Sequence, residues 1–183
     1  MVLDGAAPLA VAAAAADVAD GLVAMGAVAR SCQMAGALQA ILARSVVYAG
    51  ERVAFDRPIG KFQAIQHALA RLAGEAAAAL AASGSAADAL ATAAGGPADP
   101  DGLLLEVASA KIRVGEAAAA GAAIAHQVHG AIGFSTEHPL HRFTRRLWAW
   151  RDDHGSETEW AARLGAHIAA RGADALWPLL AAR

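Results

Sequence analysis

In a chain where alanine serves packing almost everywhere, three stretches carry residues able to move protons, bind metals or meet anions. They are ERVAFDRPIGKFQAIQH at Glu51–His67, HQVHGAIGFSTEHPLHR at His126–Arg142 and DDHGSETEW at Asp152–Trp160. Taken singly, each has an ordinary structural use. Arg52 suits the negative end of a helix dipole, Phe55 a loop staple, Gln127 a wet helix face, and the glycines after it C-caps. The pairs His126/His129 and His138/His141 are three apart, a spacing that can share a metal on a helix face. No Glu-x-x-His pattern accompanies them, so no metal is expected. RFTRRLWAWR at Arg142–Arg151 interleaves arginines with tryptophans, as a nucleic-acid surface would. On a chain of net charge −2 it reads as an interface or solvated face, and no nucleic-acid partner is expected. Asp153 and Glu157 share a face only if their segment is helical. As a bare segment, DDH is a charged turn between helices. Cys32, the single cysteine, reads as a small core hydrophobe and excludes an internal disulfide.

Helices must position these residues. Alanine dominates, aromatic residues are few, and alanine loses no side-chain entropy in a helix. A first helix is expected from Asp17 to Arg52, with Met34, Leu38, Ile41, Leu42 and Val46 as its buried stripe. FDRPIGK at Phe55–Lys61 breaks it. A second runs from Phe62 to about Ala82 along Ile65, Leu69 and Leu72, and SGS at Ser83–Ser85 stops it. After the flexible GGPADPDG, Asp101 caps a third helix over 103–129, with Glu106, Lys111 and Arg113 on its wet side. Gly130 and Gly133 end that helix. Pro139 opens a fourth through Trp150, and an amphipathic stretch covers 156–171. The expected fold is all-α, an antiparallel four-helix bundle with a C-terminal helical extension. Residues 1–16 read as a tail or short helix, and 17–183 as one bundle domain.

Of the 183 residues, 57% are apolar and 17% charged, ample for one core. The mean hydropathy of +0.38 comes mostly from alanine. The longest charge-free stretch, 117–136, holds His126, Gln127, His129 and three glycines, so no membrane insertion is expected. The first basic residue is Arg30, which leaves no positive n-region for a signal peptide of the usual form, and a cytoplasmic protein is expected.

The first two polar stretches, in order, resemble the acyl-CoA dehydrogenase family, specifically its C-terminal helical domain. The residues carrying the likeness are Arg52, Phe55, Arg57, Pro58, Ile59, Phe62, Gln63 and Ala64, then Gln127, His129, Gly130, Gly133, Phe134, Glu137 and Pro139. Asp56 replaces the glycine usual in the turn. The likeness covers roughly residues 21–171, and the family's N-terminal helical and middle β-domains are not in this sequence. It implies FAD shared with a partner subunit or with the missing domain, an acyl-CoA substrate, and a homo-oligomer or a subunit supplying the other domains. By the resemblance, Arg52 meets the FAD pyrophosphate, for which a guanidinium fork is suited. Phe55 packs on the cofactor, Gln63 and Gln127 hydrogen-bond it, Gly130 and Ala131 let backbone approach the phosphates, and the Ser156 hydroxyl touches it.

The family's reaction removes an α-proton with a carboxylate while the β-hydrogen leaves as hydride to the flavin. A gapless count brings that glutamate onto His154, with Asp153 as the neighbouring candidate and Glu157 further off. Some branches place the base on the first long helix, near Gly26, where no carboxylate sits. Two functions follow as expectations. One is the FAD-contacting C-terminal part of an acyl-CoA dehydrogenase. The other is a non-catalytic helical bundle retained for oligomeric assembly.

Overall fold

The computed structural model describes residues 18–96 and 99–181. The expected tail over 1–16 lies outside the described residues, as do 97 and 98 in the link after the second helix. Helix α1 spans Val18–Glu51, α2 Gln63–Gly95 and α3 Pro100–His129. These three pack side by side, running up, down and up. A 3-10 turn at Gly130–Phe134 follows α3, then α4 at Leu140–Asp152 and α5 at Glu157–Arg171. A 3-10 turn at Ala173–Ala175 leads to a short α6, Leu176–Ala181. The strands are two-residue pieces, Val53–Ala54 and Arg57–Pro58, paired antiparallel as a hairpin between α1 and α2.

The fourth side of the bundle is made by two helices, one after the other. α4 packs on α1 and α3, and α5 packs further down α3. The core divides in the same way. An upper cluster joins Met34, Leu38, Ile41, Leu72, Ala118 and Ala125 to Leu140 and Leu147 of α4. A lower one joins Ala24, Val28, Ala86, Val107 and Ala110 to Trp160 of α5. Small residues on α3 make the close packing possible. At Gly121 an added Cβ would lie 2.5 Å from Leu38 Cδ2 and 3.2 Å from Leu72 Cδ1, so the two leucines fill the space its absence leaves.

Several sequence expectations are corrected. α2 runs through Ser83–Ser85 to Gly95. The Ser83 hydroxyl donates to Leu80 O at 3.1 Å and the Ser85 hydroxyl to Glu106 Oε2 at 2.6 Å. Burial of Ser83 and Ala86 outweighs the roughly 1 kcal/mol that Gly84 costs in a helix. The cap of α3 is Asp99, which accepts from Gly102 N at 2.9 Å. Asp101 instead pairs with Arg171 and with His167 of α5. Val46 is half exposed, because the stripe drifts off the contact face near the top of α1. Cys32 is exposed, not core. Lys111, expected to be wet, is 1% exposed.

Candidate functional site

The residues with candidate roles fall into two groups. The upper group gathers where α1 ends, α2 begins and α3 ends. Tyr48, in the last turn of α1, ties this end together: its hydroxyl donates to His129 O at 3.3 Å and its ring stacks on His129 at 4.5 Å between centroids. Beyond it the hairpin turns on Phe55 (φ 53°) and Asp56 (φ 62°). Two consecutive left-handed residues are what a tight two-residue hairpin loop needs. Asp56 stands where the family's turn has glycine, and its positive φ accounts for that preference; aspartate is among the residues that tolerate this region. Phe55 is a costlier occupant, and its ring is 89% exposed. Phe62 lies between them, edge-on to Phe55 at 6.2 Å and under the Arg57 guanidinium at 4.1 Å.

Arg52 is exposed and makes no ion pair with any described residue. Gln63 is the first residue of α2, and Gln127, Gly130 and Ala131 are exposed at the end of α3. Gly130 has φ +63°, and nothing lies within 4 Å of where its Cβ would be. A free guanidinium, two free amides and a bare backbone segment fit the anionic part of a dinucleotide such as FAD.

Behind this surface stand the histidines. His129 Nδ1–H donates to Ala125 O at 2.8 Å, leaving its buried Nε2 unpartnered. His126 Nε2 and Thr144 Oγ1 share a hydrogen bond at 2.9 Å, leaving Nδ1 unpartnered, while Phe134 stacks on the His126 ring at 4.1 Å. Burial lowers the pKa of His126, His129 and His138. For His138 the Arg44 guanidinium lowers it further. Burial thus disfavours the charged form of all three rings. Among the described residues no group of three or more His, Cys, Asp or Glu could hold a metal ion.

The second group lies at the break between α4 and α5. Asp153 ends α4, His154 and Gly155 both take positive φ (57° and 98°), and Ser156 caps α5. The His154 side chain lies against Gly26 of α1. A Cβ at Gly26 would come 2.3 Å from His154 Nδ1 and 2.5 Å from Cγ and Cε1, so no residue larger than glycine fits beneath this ring. With Cγ, Nδ1 and Cε1 all within 2.5 Å of that one point, the ring lies face-on over Gly26. The two positions at which the resemblance locates a base, 154 and 26, therefore share one place in this chain, with His154 filling it.

Its neighbours are already engaged. Asp153 Oδ2 is 2.8 Å from Arg30 Nε, an ion pair by distance, though no directed hydrogen bond links them. Glu157 is paired with Arg151 Nε at 2.6 Å. The segment 153–156 is a turn, so Asp153 and Glu157 share no helical face. Ser156 forms a capping box with Glu159: its hydroxyl donates to Glu159 Oε2 at 2.9 Å and accepts from Glu159 N at 3.3 Å. The Ser156 backbone N–H, donating to Glu159 Oε2 at 2.7 Å, and then its hydroxyl hold the Glu159 carboxyl below its usual pKa. Trp160 Nε1 donates to His154 O at 3.0 Å.

The two groups do not meet within one chain. From Gly26 to Arg52 is 26 residues of α1, about 39 Å of helical rise. Arg52, Phe55, Gln63, Gln127, Gly130 and Ala131 are brought to one end, while Asp153, His154 and Ser156 lie well below it. Sequence reasoning gave no site role to Tyr48 or Arg30 and placed Lys111 on the wet side of α3. For Lys111 a signal was available, since Val107, Lys111, Val114 and Ala118 follow steps of four, three and four along the buried face of α3.

Comparison with known proteins identifies the family. The family model "Acyl-CoA dehydrogenase, C-terminal domain" matches residues 16–155, ending one residue before Ser156. Glutaryl-CoA dehydrogenase of Desulfococcus multivorans is 39% identical over 113 residues, covering 60% of this chain and 27% of that protein. Acyl-CoA dehydrogenase IpdE2 of Mycobacterium tuberculosis is 33% identical over 126 residues, covering 69% and 36%. Among solved structures, the ChsE4–ChsE5 complex of M. tuberculosis aligns with a TM-score of 0.73 at 29% identity, over 84% of this chain and 40% of that one. A glutaryl-CoA dehydrogenase bound to glutaryl-CoA aligns at 0.71 and 32% identity, over 82% and 36%. The chain thus spans between 27% and 40% of the length of these relatives. With helices α1 to α4, the hairpin and the Gln127–Phe134 segment all within the matched region, the chain belongs to the acyl-CoA dehydrogenase family, through that family's C-terminal domain.

Proposed function

We propose that this chain supplies the helical C-terminal layer of an acyl-CoA dehydrogenase that oxidises the α,β-bond of an acyl-CoA thioester, with FAD shared with a middle domain outside this sequence. Bound FAD supplies the hydride acceptor. His154, when neutral, takes the α-proton at Nε2, and Gly26 lets the ring lie flat enough against α1 to present that nitrogen. Arg52 forks onto the pyrophosphate, Phe55 packs on the cofactor, Gln63 and Gln127 hydrogen-bond it, and Gly130–Ala131 admits the phosphates to backbone. Ser156 offers its hydroxyl from the capping box. Asp153, held by Arg30, is a weaker candidate for the base than His154.

The observation that carries the reading is the seating of His154 on Gly26, one place reached from both positions that serve the family's base. Because the two groups stand about 39 Å apart along α1, they serve two different flavins. One chain contributes Arg52 and its neighbours to one FAD and His154 to another, so function requires an assembly. The similar M. tuberculosis structure is a complex of two different chains, ChsE4 and ChsE5. A partner subunit carrying the other domains is our reading here, with homo-oligomeric packing of the bundles alongside it, in the cytoplasm. No described helix is long and apolar enough to cross a membrane.

The test is reconstitution. The chain alone should bind FAD weakly, since half the contacts lie elsewhere, and should turn yellow and oxidise an acyl-CoA once a partner supplies the middle domain. A second reading, a bundle kept for assembly, draws on His154 standing where the family has glutamate. Complexes that bind flavin yet oxidise no acyl-CoA would establish that reading and end the first.

A further inference from the structure

Lys111 is the largest of the fully buried side chains, and the reading of the site leaves it without a role. It leaves α3 toward the lower end of α4, where its ammonium donates to Trp150 O at 3.2 Å and Arg151 O at 2.6 Å. These are carbonyls of the last turn of α4, which has no intrahelical donor for them. A cation at this position also meets the negative end of the α4 dipole. The surrounding charges suit it. Burial lowers its pKa overall, and Glu157, Asp153 and Asp152 offset part of that, with Arg151 acting against them.

Two residues beyond the second carbonyl the chain leaves the helix, and three residues beyond it stands His154. On the far side the capping box of Ser156 and Glu159 fixes the start of α5. The turn between is held by the Arg151–Glu157 pair across it, by Arg30, which pairs with Asp153 and lies over the Trp150 ring, and by the Trp160 bond to His154 O. The end of α4 leads directly into His154, and among the groups that hold that end only Lys111 reaches its backbone carbonyls from α3.

We propose that Lys111 is a positioning residue for His154: by holding the Trp150 and Arg151 carbonyls from α3, it fixes the end of α4 and seats the imidazole on Gly26. The catalytic consequence rests on the proposed function above; the seating itself does not. Lys111→Met keeps the length and apolar stem but removes every donor, and nuclear magnetic resonance on the full chain reads the result. In the wild type, His154 ring protons show an Overhauser contact to the Gly26 α-protons, which carry a ring-current shift. In Lys111→Met both should be lost, while methyl resonances of Leu38, Ile41 and Leu72 in the upper core stay in place. A folded Lys111→Met chain that keeps the contact overturns the proposal, since a merely structural lysine would lower stability and leave the ring where it is.

A second measurement needs no substitution. The chain has two lysines, and Lys61 is exposed. Lys111 ammonium protons should exchange slowly with water and show scalar coupling to the Trp150 and Arg151 carbonyl carbons, with Lys61 as the fast internal control. Exchange as fast as at Lys61 overturns the proposal even if the variant fails to fold. In a reconstituted complex, Lys111→Met should lower kcat on the order of tenfold to a hundredfold with flavin retained. Loss of the ring contact with unchanged turnover would remove His154 from the chemistry and leave the role of Lys111 standing.

Discussion

The upper end of the bundle and the turn around His154 are built on opposite principles. At the upper end the polar groups are unsatisfied. Arg52 has no counter-ion among the described residues, Phe55 stands exposed in a left-handed conformation, and Gly130 faces open space. Around His154 nearly every neighbour is engaged: Asp153 with Arg30, Glu157 with Arg151, Ser156 with Glu159, and the Lys111 ammonium with two carbonyls. A surface left unsatisfied is completed by something outside the chain, whereas a turn satisfied from within presents one chosen side chain. Under the proposed function, docking and chemistry are separated along α1, and each can be broken alone.

The largest effect should come from removing the presented group. In a reconstituted complex, His154→Ala should cost on the order of 10² to 10⁴ in rate with flavin still bound, whereas Asp153→Asn should cost much less. Steady-state kinetics with flavin absorbance reads both, and the reverse order would transfer the role to Asp153. Gly26→Ala should come next. A methyl 2.3 Å from Nδ1 forces the ring off α1, for an expected loss of roughly 10²-fold in turnover with helicity unchanged. Full activity in that variant would mean the seat does not matter.

Arg52→Ala probes the other end. It should weaken flavin binding by about 1.5 to 3 kcal/mol, a charge-assisted contact, and leave turnover at saturating flavin nearly intact. Flavin titration followed by fluorescence would show it. The smallest effect concerns the histidines behind that end. His126, His129 and His138 have folded pKa values below the unfolded value of about 6.5. The unfolded chain therefore takes up protons that the folded chain refuses. Their contribution is complete above about pH 6.5 and is lost as pH falls toward the folded values. The urea midpoint should drop between pH 7.5 and 5.5, and His129→Gln should flatten that slope.

Much of this was legible in the sequence because glycine, proline and capping residues act locally. Pro58 with Gly60, Gly130 and Pro139 mark real helix boundaries, and the Arg52–Gln63 and Gln127–Phe134 motifs lie at one end, as helices of those lengths require. What was not legible depended on partners distant in sequence. Ser83–Ser85 looks like a stop until Glu106 takes up the Ser85 hydroxyl and the lower core takes up the flanking Ala82 and Ala86. Lys111 looks wet until α4 supplies carbonyls 39 and 40 residues away. Asp101 looks like a cap until α5 brings Arg171 and His167 to it. The place of His154 could be counted from the motif, but that its ring rests on Gly26 could not.

Dividing the fourth side of the bundle into α4 and α5 also divides how the molecule opens. A continuous helix would bind the upper and lower cores into one cooperative block. Here Leu140 and Leu147 close one and Trp160 closes the other, with a non-helical turn between them. α5 can lift from α3, carrying Trp160 out of the lower core, while α4 stays docked through the Lys111 bonds. Amide exchange should then resolve into two units of different protection whose border runs through His154. The residue proposed to touch substrate sits at that border.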